Sequence, residues 1–268
     1  MAAAVEPAAQ GTGAVLQSAD PAPRPCKICR APSPLFGVVD FHKSCEEGRG
    51  RKLTLSGIPV YYRRCGQCGF VFTQAFDTWT RAEFLRHIYN PDYRFVDPDY
   101  LETRPNHNAA MVAETFGGSR DSIRILDYGG GNGLLAERLR SLCFDAETYD
   151  PMHEFEVLPE GQFDLVTCFE VMEHVPEPGK TVAEIASLLA TDGVVLFSTL
   201  VQPEGFERTG LEWWYAAPRN GHISLYTPPA LARLFGAHGM RVGSFSDALH
   251  IAYSRVPEFA AHLQLPEN

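Results

Sequence analysis

Asp127, Gly129, Gly131 and Gly133 alternate along the chain directly after the apolar run Ile123 to Leu126, and a helical pattern, Leu134 to Leu142, follows them. Glycines at such a strand-to-helix turn let the backbone come close to a ligand, and the helix behind aims its N-terminus at it. The dinucleotide fingerprint sets its third glycine three residues after the second. Here it comes after two, which disfavours a nicotinamide-dependent dehydrogenase. Glu147 to Asp150 reads as the next strand and ends in an acid 17 residues beyond Gly133. A carboxylate accepts several hydrogen bonds, so Asp150 suits the two hydroxyls of a ribose; the plain alternative is a turn aspartate before Pro151.

A second group is made of thiols. Cys26-x-x-Cys29 and Cys65-x-x-Cys68 stand 35 residues apart, and two such knuckles present four thiolates tetrahedrally, the closed arrangement of a structural zinc. The interval is longer than in compact zinc ribbons, so a hairpin or loop must fill it. An odd total of seven cysteines and no recognisable secretion leader favour a reducing compartment over disulfides. His42 and Cys45 are alternative knuckle ligands, while Cys143 and Cys168 lie in apolar surroundings and read as buried small hydrophobes.

Glu170, Glu173 and His174 follow the strand-like run Phe163 to Phe169, whose carboxyl end faces the crevice where open α/β sheets bind ligands. Two carboxylates and an imidazole can hold a hard divalent ion, or Glu173 and His174 can order their loop by hydrogen bonding. Further on, Trp213, Trp214 and Tyr215 are adjacent, and three aromatics on a connection pack or bind. Aromatic faces with Arg219 and Asn220 beside them suit a carbohydrate; core packing is the alternative for each ring.

These residues need elements to position them. Thr78 to Ile88 and Asn106 to Phe116 read as helices, with Tyr93, Tyr100 and Arg104 between or within them as a candidate cap. Only 13 residues separate Asp150 from Asp164, too few for a helix and a strand, so one sheet edge is expected to be reduced. Helix 181–189, strand 194–200, a helix opened by Pro228-Pro229 and two closing strands, 241–245 and 250–255, complete an α/β domain. The expected organisation is a disordered tail over 1–24, a zinc-binding module over 25–76, a helical linker or cap over 77–118, the cofactor-binding domain over 119–257 and a tail over 258–268. A net charge of −10 disfavours a nucleic-acid partner, and no apolar run reaches membrane-span length. The basic stretch Arg49-Gly50-Arg51-Lys52 with Arg63-Arg64 reads as solvated surface, and a cytoplasmic enzyme is the expectation.

The Asp127-x-Gly129-x-Gly131-x-Gly133 order resembles motif I of the class I S-adenosylmethionine-dependent methyltransferases. Phe163-Asp164-Leu165-Val166 through Val171-x-Glu173-His174-Val175 resembles the fourth-strand signature of the same family. The resemblance implies a Rossmann-like, mostly parallel sheet with an antiparallel last strand. It implies S-adenosylmethionine as cofactor, held by Asp127, the three glycines and Asp150, with Pro151, Met152, Phe169 and Glu170 nearby. The run Tyr61 to Phe72 around the second knuckle is similar to the zinc-binding region of sugar methyltransferases. His222-Ile223-Ser224-Leu225-Tyr226-Thr227 resembles a segment of those enzymes whose histidine is a base, although Gly221 stands where they carry an acid. The resemblance implies His222 as general base, with His174 and Glu173 beside it and a sugar, nucleotide-sugar or glycan acceptor. The plain alternative has His222 capping the helix that begins at Pro228. A quinone or phenol O-methyltransferase using a divalent metal, and a zinc-containing scaffold with a vestigial cofactor domain, are the competing readings.

Overall fold

A computed structural model describes residues 22–265, so most of the expected N-terminal tail lies outside the described residues. Within them the chain is already paired at Arg24, in a two-stranded ribbon of β1 (Arg24–Pro25) and β2 (Pro32–Ser33). β3 (Leu35–Asp40), β4 (Pro59–Arg64) and β5 (Val71–Thr73) form an antiparallel sheet, with a 3-10 turn, Cys45–Arg49, between β3 and β4. α1 (Arg81–His87) starts at a capping box in which Thr80 and Glu83 satisfy each other's backbone donors. A 3-10 turn, Pro91–Phe95, leads towards α2 (Thr103–Phe116).

The main sheet then begins with β6 (Arg124–Tyr128), α3 (Leu134–Ser141), β7 (Asp145–Tyr149) and β8 (Phe163–Phe169). It continues through α4 (Pro178–Leu188), β9 (Leu189–Ser198) and the short α5 (Phe206–Thr209). β10 (Ser224–Leu225), α6 (Pro228–Gly236), β11 (Arg241–Ser244) and β12 (Leu249–Tyr253) close the order. Spatially the six strands run β11-β12-β9-β8-β6-β7. β7, β6, β8 and β9 are parallel, and β12 is antiparallel to both β9 and β11. β8 is buried over most of its length, as suits an inner parallel strand, whereas the edge strand β7 is mostly exposed or half-buried. Residues 151–162 contribute no strand, so β7 is the edge, as the short interval requires.

β10 belongs to the other sheet. It pairs antiparallel with β5, Ser224 opposite Phe72 and Leu225 opposite Val71, so the segment after β9 is stitched into the N-terminal module. Phe70, Phe72 and Tyr226 share one buried cluster with Leu126, Phe163 and Phe197 of the main sheet. The module and the cofactor-binding domain therefore have a common core. Thr227, not His222, caps α6 by accepting from the Ala230 N–H, with Pro228 at the tolerated start.

One expectation needs correction. Cys143 is exposed at φ +67°, in the tight turn after α3, and not buried; Cys168 is buried as expected. The expected C-terminal tail holds a 3-10 helix, Glu258–Leu263, with Phe259 packing edge-on to Phe116 of α2. Such a short element has too few residues to show a period.

A shared core makes a testable statement about cooperativity. Phe72→Ala removes a fully buried ring and should cost about 3–5 kcal/mol. Calorimetry should record one unfolding transition displaced downward, whereas two independent transitions would contradict the shared core.

Candidate active site

The turn after β6 gathers the first part of the site. Gly129, Gly131 and Gly133 have φ of +75°, +58° and +77°, a backbone that side-chain-bearing residues seldom adopt. A Cβ on Gly129 would strike Val171, and one on Gly130 would fall 2.2 Å from Asp127 Oδ2. A Cβ on Gly131 meets nothing within 4 Å; it points into a cavity of about 470 Å³. Asp127 and Asp150 line the same cavity, as do Pro151, Met152, Phe169 and Glu170. Trp79, Phe84, Tyr89, Tyr93, Tyr100 and Arg104 line it as well. Gly133 does not line it; its φ serves the turn into α3.

The acids at the strand ends have different environments. Asp127 accepts from the Thr167 hydroxyl at 3.0 Å through Oδ1, while Oδ2 is buried with no hydrogen-bond partner. Burial pushes this carboxyl up to about 7, with the Asp150 charge adding to it. Asp150 accepts the Gly131 N–H at 2.8 Å and the Met152 N–H at 2.7 Å. Burial opposes its ionisation, but His153 and those two N–H groups outweigh it and hold Asp150 below the ordinary carboxylate range. An orphaned buried carboxylate oxygen and an open glycine position fit a ligand with a cationic amino-acid end; an ionised Asp150 fits a ribose.

The end of β8 gathers the second part. Glu170 sits at φ +55°, rare for a side-chain-bearing residue, and its carboxylate and its N–H both engage the Ser198 hydroxyl at 2.8 Å. Burial, and then the neighbouring Glu173, push Glu170 up to about 7. Glu173 is fully buried and lines neither cavity described here; Tyr215 donates to it at 2.7 Å.

His174 packs edge-on to His222, with ring centroids 4.9 Å apart. The His222 Nδ1–H donates to the Tyr215 carbonyl at 3.0 Å, which leaves Nε2 with its lone pair. Burial pushes His174 down to about 4 and His222 well below its ordinary value, so both rings are neutral at pH 7. Gly221 has φ +89°, and a Cβ there would fall 2.9 Å from His174 Nδ1. The imidazole of His174 thus occupies the ground that an acid at position 221 would need. Ligand atoms of Glu173, His174 and His222 lie within 4.8 Å of one another, while Glu170 stands outside that group.

His222 faces a second cavity, of about 380 Å³, lined also by Cys45, Trp214, Tyr215 and Asn220. Asp97, Arg104, Glu170 and His174 line both cavities, so the two abut at a common wall. Trp213 and Arg219 are not part of it. Trp213 is buried in the core with Phe206, and Arg219 is held by the Ile88 carbonyl and Asn90 Oδ1, so packing claims both.

The four sulfurs of Cys26, Cys29, Cys65 and Cys68 gather 3.4–3.7 Å apart in the hydrogen-bonded pairs. Zn–S bonds of about 2.3 Å in a tetrahedron require sulfurs about 3.8 Å apart, so the donor set fits that ion. His42 and Cys45 take no part: His42 Nδ1 donates to the Thr54 carbonyl, and Cys45 Sγ lies 3.6 Å from His222 Nδ1.

Comparison with known proteins agrees with this architecture. Residues 100–244, over half of the chain, match the family model described as a methyltransferase domain. The chain belongs to the family of S-adenosylmethionine-dependent methyltransferases. The ubiquinone biosynthesis O-methyltransferase of Bordetella avium (strain 197N) is 31% identical over 136 residues, 40% of this chain and 56% of that protein. Its counterpart from Alkalilimnicola ehrlichii is 37% identical over 137 residues, 40% and 55% of the two chains. The chain thus spans about half the length of the curated relatives it matches. Among solved structures, the 1,6-didemethyltoxoflavin-N1-methyltransferase of Burkholderia thailandensis, with bound 1,6-didemethyltoxoflavin and S-adenosylhomocysteine, superposes with a TM-score of 0.48 at 16% identity, covering 70% of this chain and 96% of that one. Among the described residues no helix is long and apolar enough to cross a membrane.

Gly131→Val should leave the fold intact, since nothing crowds the position, yet fill the cavity and strain the turn. Calorimetric titration with S-adenosylhomocysteine should find binding lost; unchanged affinity would contradict the site. A cationic ligand favours the ionised forms of Asp127 and Glu170, both poised near 7. S-adenosylmethionine affinity should therefore rise from pH 6 to pH 8 and fall as either acid is protonated, up to about tenfold per pH unit for each. A flat profile would contradict that assignment.

Proposed function

We propose that this protein transfers a methyl group from S-adenosylmethionine to a hydroxyl of a small polar acceptor of the sugar or glycan class, with His222 as general base. The observation that carries this reading is the common wall. The cavity with the glycine loop and the cavity with His222 meet at Glu170 and His174, which allows cofactor and acceptor to approach from opposite sides.

The residues of the first cavity divide the cofactor between them. Asp127 and the glycine turn take the amino-acid end, Asp150 the ribose, and the roof of Tyr93, Tyr100 and Trp79 excludes water. Pro151 and Met152 stand where an adenine contact is needed in the absence of a third strand. Bound S-adenosylmethionine supplies a methyl group made electrophilic by its sulfonium. His222 then takes the acceptor's hydroxyl proton at Nε2, while its Nδ1–H stays on the Tyr215 carbonyl and fixes the ring. Alignment of two bound partners can lower the barrier by about 7–11 kcal/mol, and the base adds about 10²–10⁴-fold. Glu173 and Tyr215 act through their neighbours: the Tyr215 hydroxyl donates to the Glu173 carboxylate, and the Tyr215 carbonyl accepts from the His222 ring.

The cysteine cluster is read as a structural zinc site, because four thiols close the coordination shell and leave no open position. A second reading has support of its own. The relatives are named ubiquinone biosynthesis O-methyltransferases, and Glu173, His174 and His222 offer a carboxylate and two imidazoles within reach of one ion. A phenol acceptor with a divalent metal would use that group. Turnover that requires added magnesium or manganese, with the cysteine-bound zinc retained, favours it over the base reading.

His222→Ala should reduce kcat by about 10²–10⁴-fold with S-adenosylhomocysteine affinity kept within a few-fold; full turnover by the variant would sink the base role. Purified protein should carry one zinc per chain by mass spectrometry, and its removal should lower the unfolding temperature. A metal-free protein of unchanged stability would contradict the zinc assignment.

A further inference from the structure

The cysteine module does more than cap the fold: it builds the outer wall of the second cavity. Its 3-10 turn, Cys45–Arg49, contributes Cys45, Glu46, Gly48 and Arg49 to the lining. The Cys45 N–H donates to Asn220 Oδ1 at 2.9 Å, and Asn220 Nδ2 donates to the Val96 carbonyl at 2.9 Å. Three separate segments are thereby tied around one chamber. The volume, about 380 Å³, lies within the usual range of small-molecule sites, about 300–1,000 Å³.

The charges in this chamber are unevenly matched. Its carboxylates are Glu46, Asp97, Asp99 and Glu170; its guanidinium groups are Arg49 and Arg104. Arg104 grips Asp97 with two bonds, at 2.7 and 3.1 Å. Arg49 is shared between Glu46 and Asp99, at 3.0 Å to each, and Glu46 pairs again with Arg51. Lys43, just outside, donates to the Trp213 carbonyl and lies 3.8 Å from Glu47. Among the described residues of the lining, both guanidinium groups are already engaged by carboxylates, so an incoming phosphate finds no unpaired cation. A phosphate would add negative charge to an acidic chamber and break an existing ion pair to find a partner.

Hydroxyl groups face no such penalty. Carboxylates and the free His222 Nε2 accept their protons, and both arginines can share donors with them. At the rim, Trp214 is 40% exposed and packs on Gly48, where a Cβ would fall 3.0 Å from the indole Cγ. A large exposed ring over a polar chamber is a ready platform for the apolar face of a sugar.

We infer that this second cavity is the acceptor site and that it selects a hydroxylated, phosphate-free ring compound, with Trp214 as its stacking platform and the Cys45–Arg49 turn as its outer wall. The inference rests on the methyltransferase reading above and narrows it, since it excludes acceptors carried on a nucleoside diphosphate.

The test uses the full-length protein saturated with S-adenosylhomocysteine, after a separate titration has measured that ligand. Methyl glycosides of common hexoses and deoxyhexoses are titrated beside the matching nucleoside diphosphate sugars. The expected result is that at least one glycoside binds at least tenfold more tightly than its nucleotide counterpart. Trp214→Ala should weaken it at least tenfold, with S-adenosylhomocysteine affinity unchanged. Equal or tighter binding of the nucleotide sugar, no glycoside binding across the panel, or indifference to Trp214→Ala would each overturn the inference. Failure of the S-adenosylhomocysteine titration itself would instead overturn the methyltransferase reading.

Discussion

The arrangement depends on one short stretch, His222 to Tyr226, being held at once by the module sheet and by the Met172–His174 turn that follows β8. The Thr73 N–H donates to the Ile223 carbonyl at 3.1 Å, and the Ile223 N–H donates to the Glu173 carbonyl at 2.9 Å. The Tyr62 hydroxyl closes on the His222 carbonyl at 2.7 Å, and the Tyr226 hydroxyl on that of Met172 at 2.8 Å. Through these bonds the module sheet and the Met172–His174 turn cannot move apart without exposing buried backbone groups. His222 and His174 are therefore fixed in mutual contact by the backbone on either side of them, more than by any bond between the rings.

That stitch also explains how neutral and charged groups coexist in so small a volume. Burial pushes Asp127 and Glu170 up and the two histidines down, so each is near or within its uncharged form at neutral pH. Asp150 differs only because three donors converge on it. A positive ligand arriving beside Asp127 and Glu170 would shift both towards their ionised forms. The left-handed backbone of Glu170 is consistent with this. Such a conformation costs of order 1–3 kcal/mol, and here the Ser198 hydroxyl binds both ends of the residue to hold it.

Much of the cofactor side was legible in the sequence because its signals are local. The glycine spacing, the acid ending β7, the bounds of β8 at Phe163–Phe169 and the missing third strand can all be read from a few adjacent residues. Methyltransferase-family membership agrees with that reading. The acceptor side was less legible. β10 is two residues long, and its pairing with β5, about 150 positions earlier, leaves no period to detect. Three adjacent aromatics could not be told apart by type: Trp213 faces the core, Tyr215 bonds Glu173, and only Trp214 reaches the rim. Arg219 and Asn220 diverge in the same way, one buried in backbone contacts and the other on the cavity. In the turn that lines the second cavity, Glu46 and Gly48 had no sequence signal, Cys45 reads as an alternative knuckle ligand and Arg49 as solvated surface. Gly221 carried a signal that was read as a lost acid; its space is filled by His174.

The central claim is that cofactor and acceptor occupy two cavities that meet at Glu170 and His174. A crystal structure with S-adenosylhomocysteine bound tests it most directly. The account predicts density between the glycine turn and the aromatic roof, with the sulfur end directed at the wall of Glu170 and His174 and the chamber of His222 and Trp214 still open. Density lying in the His222 chamber, or a sulfur end directed away from that wall, would contradict it.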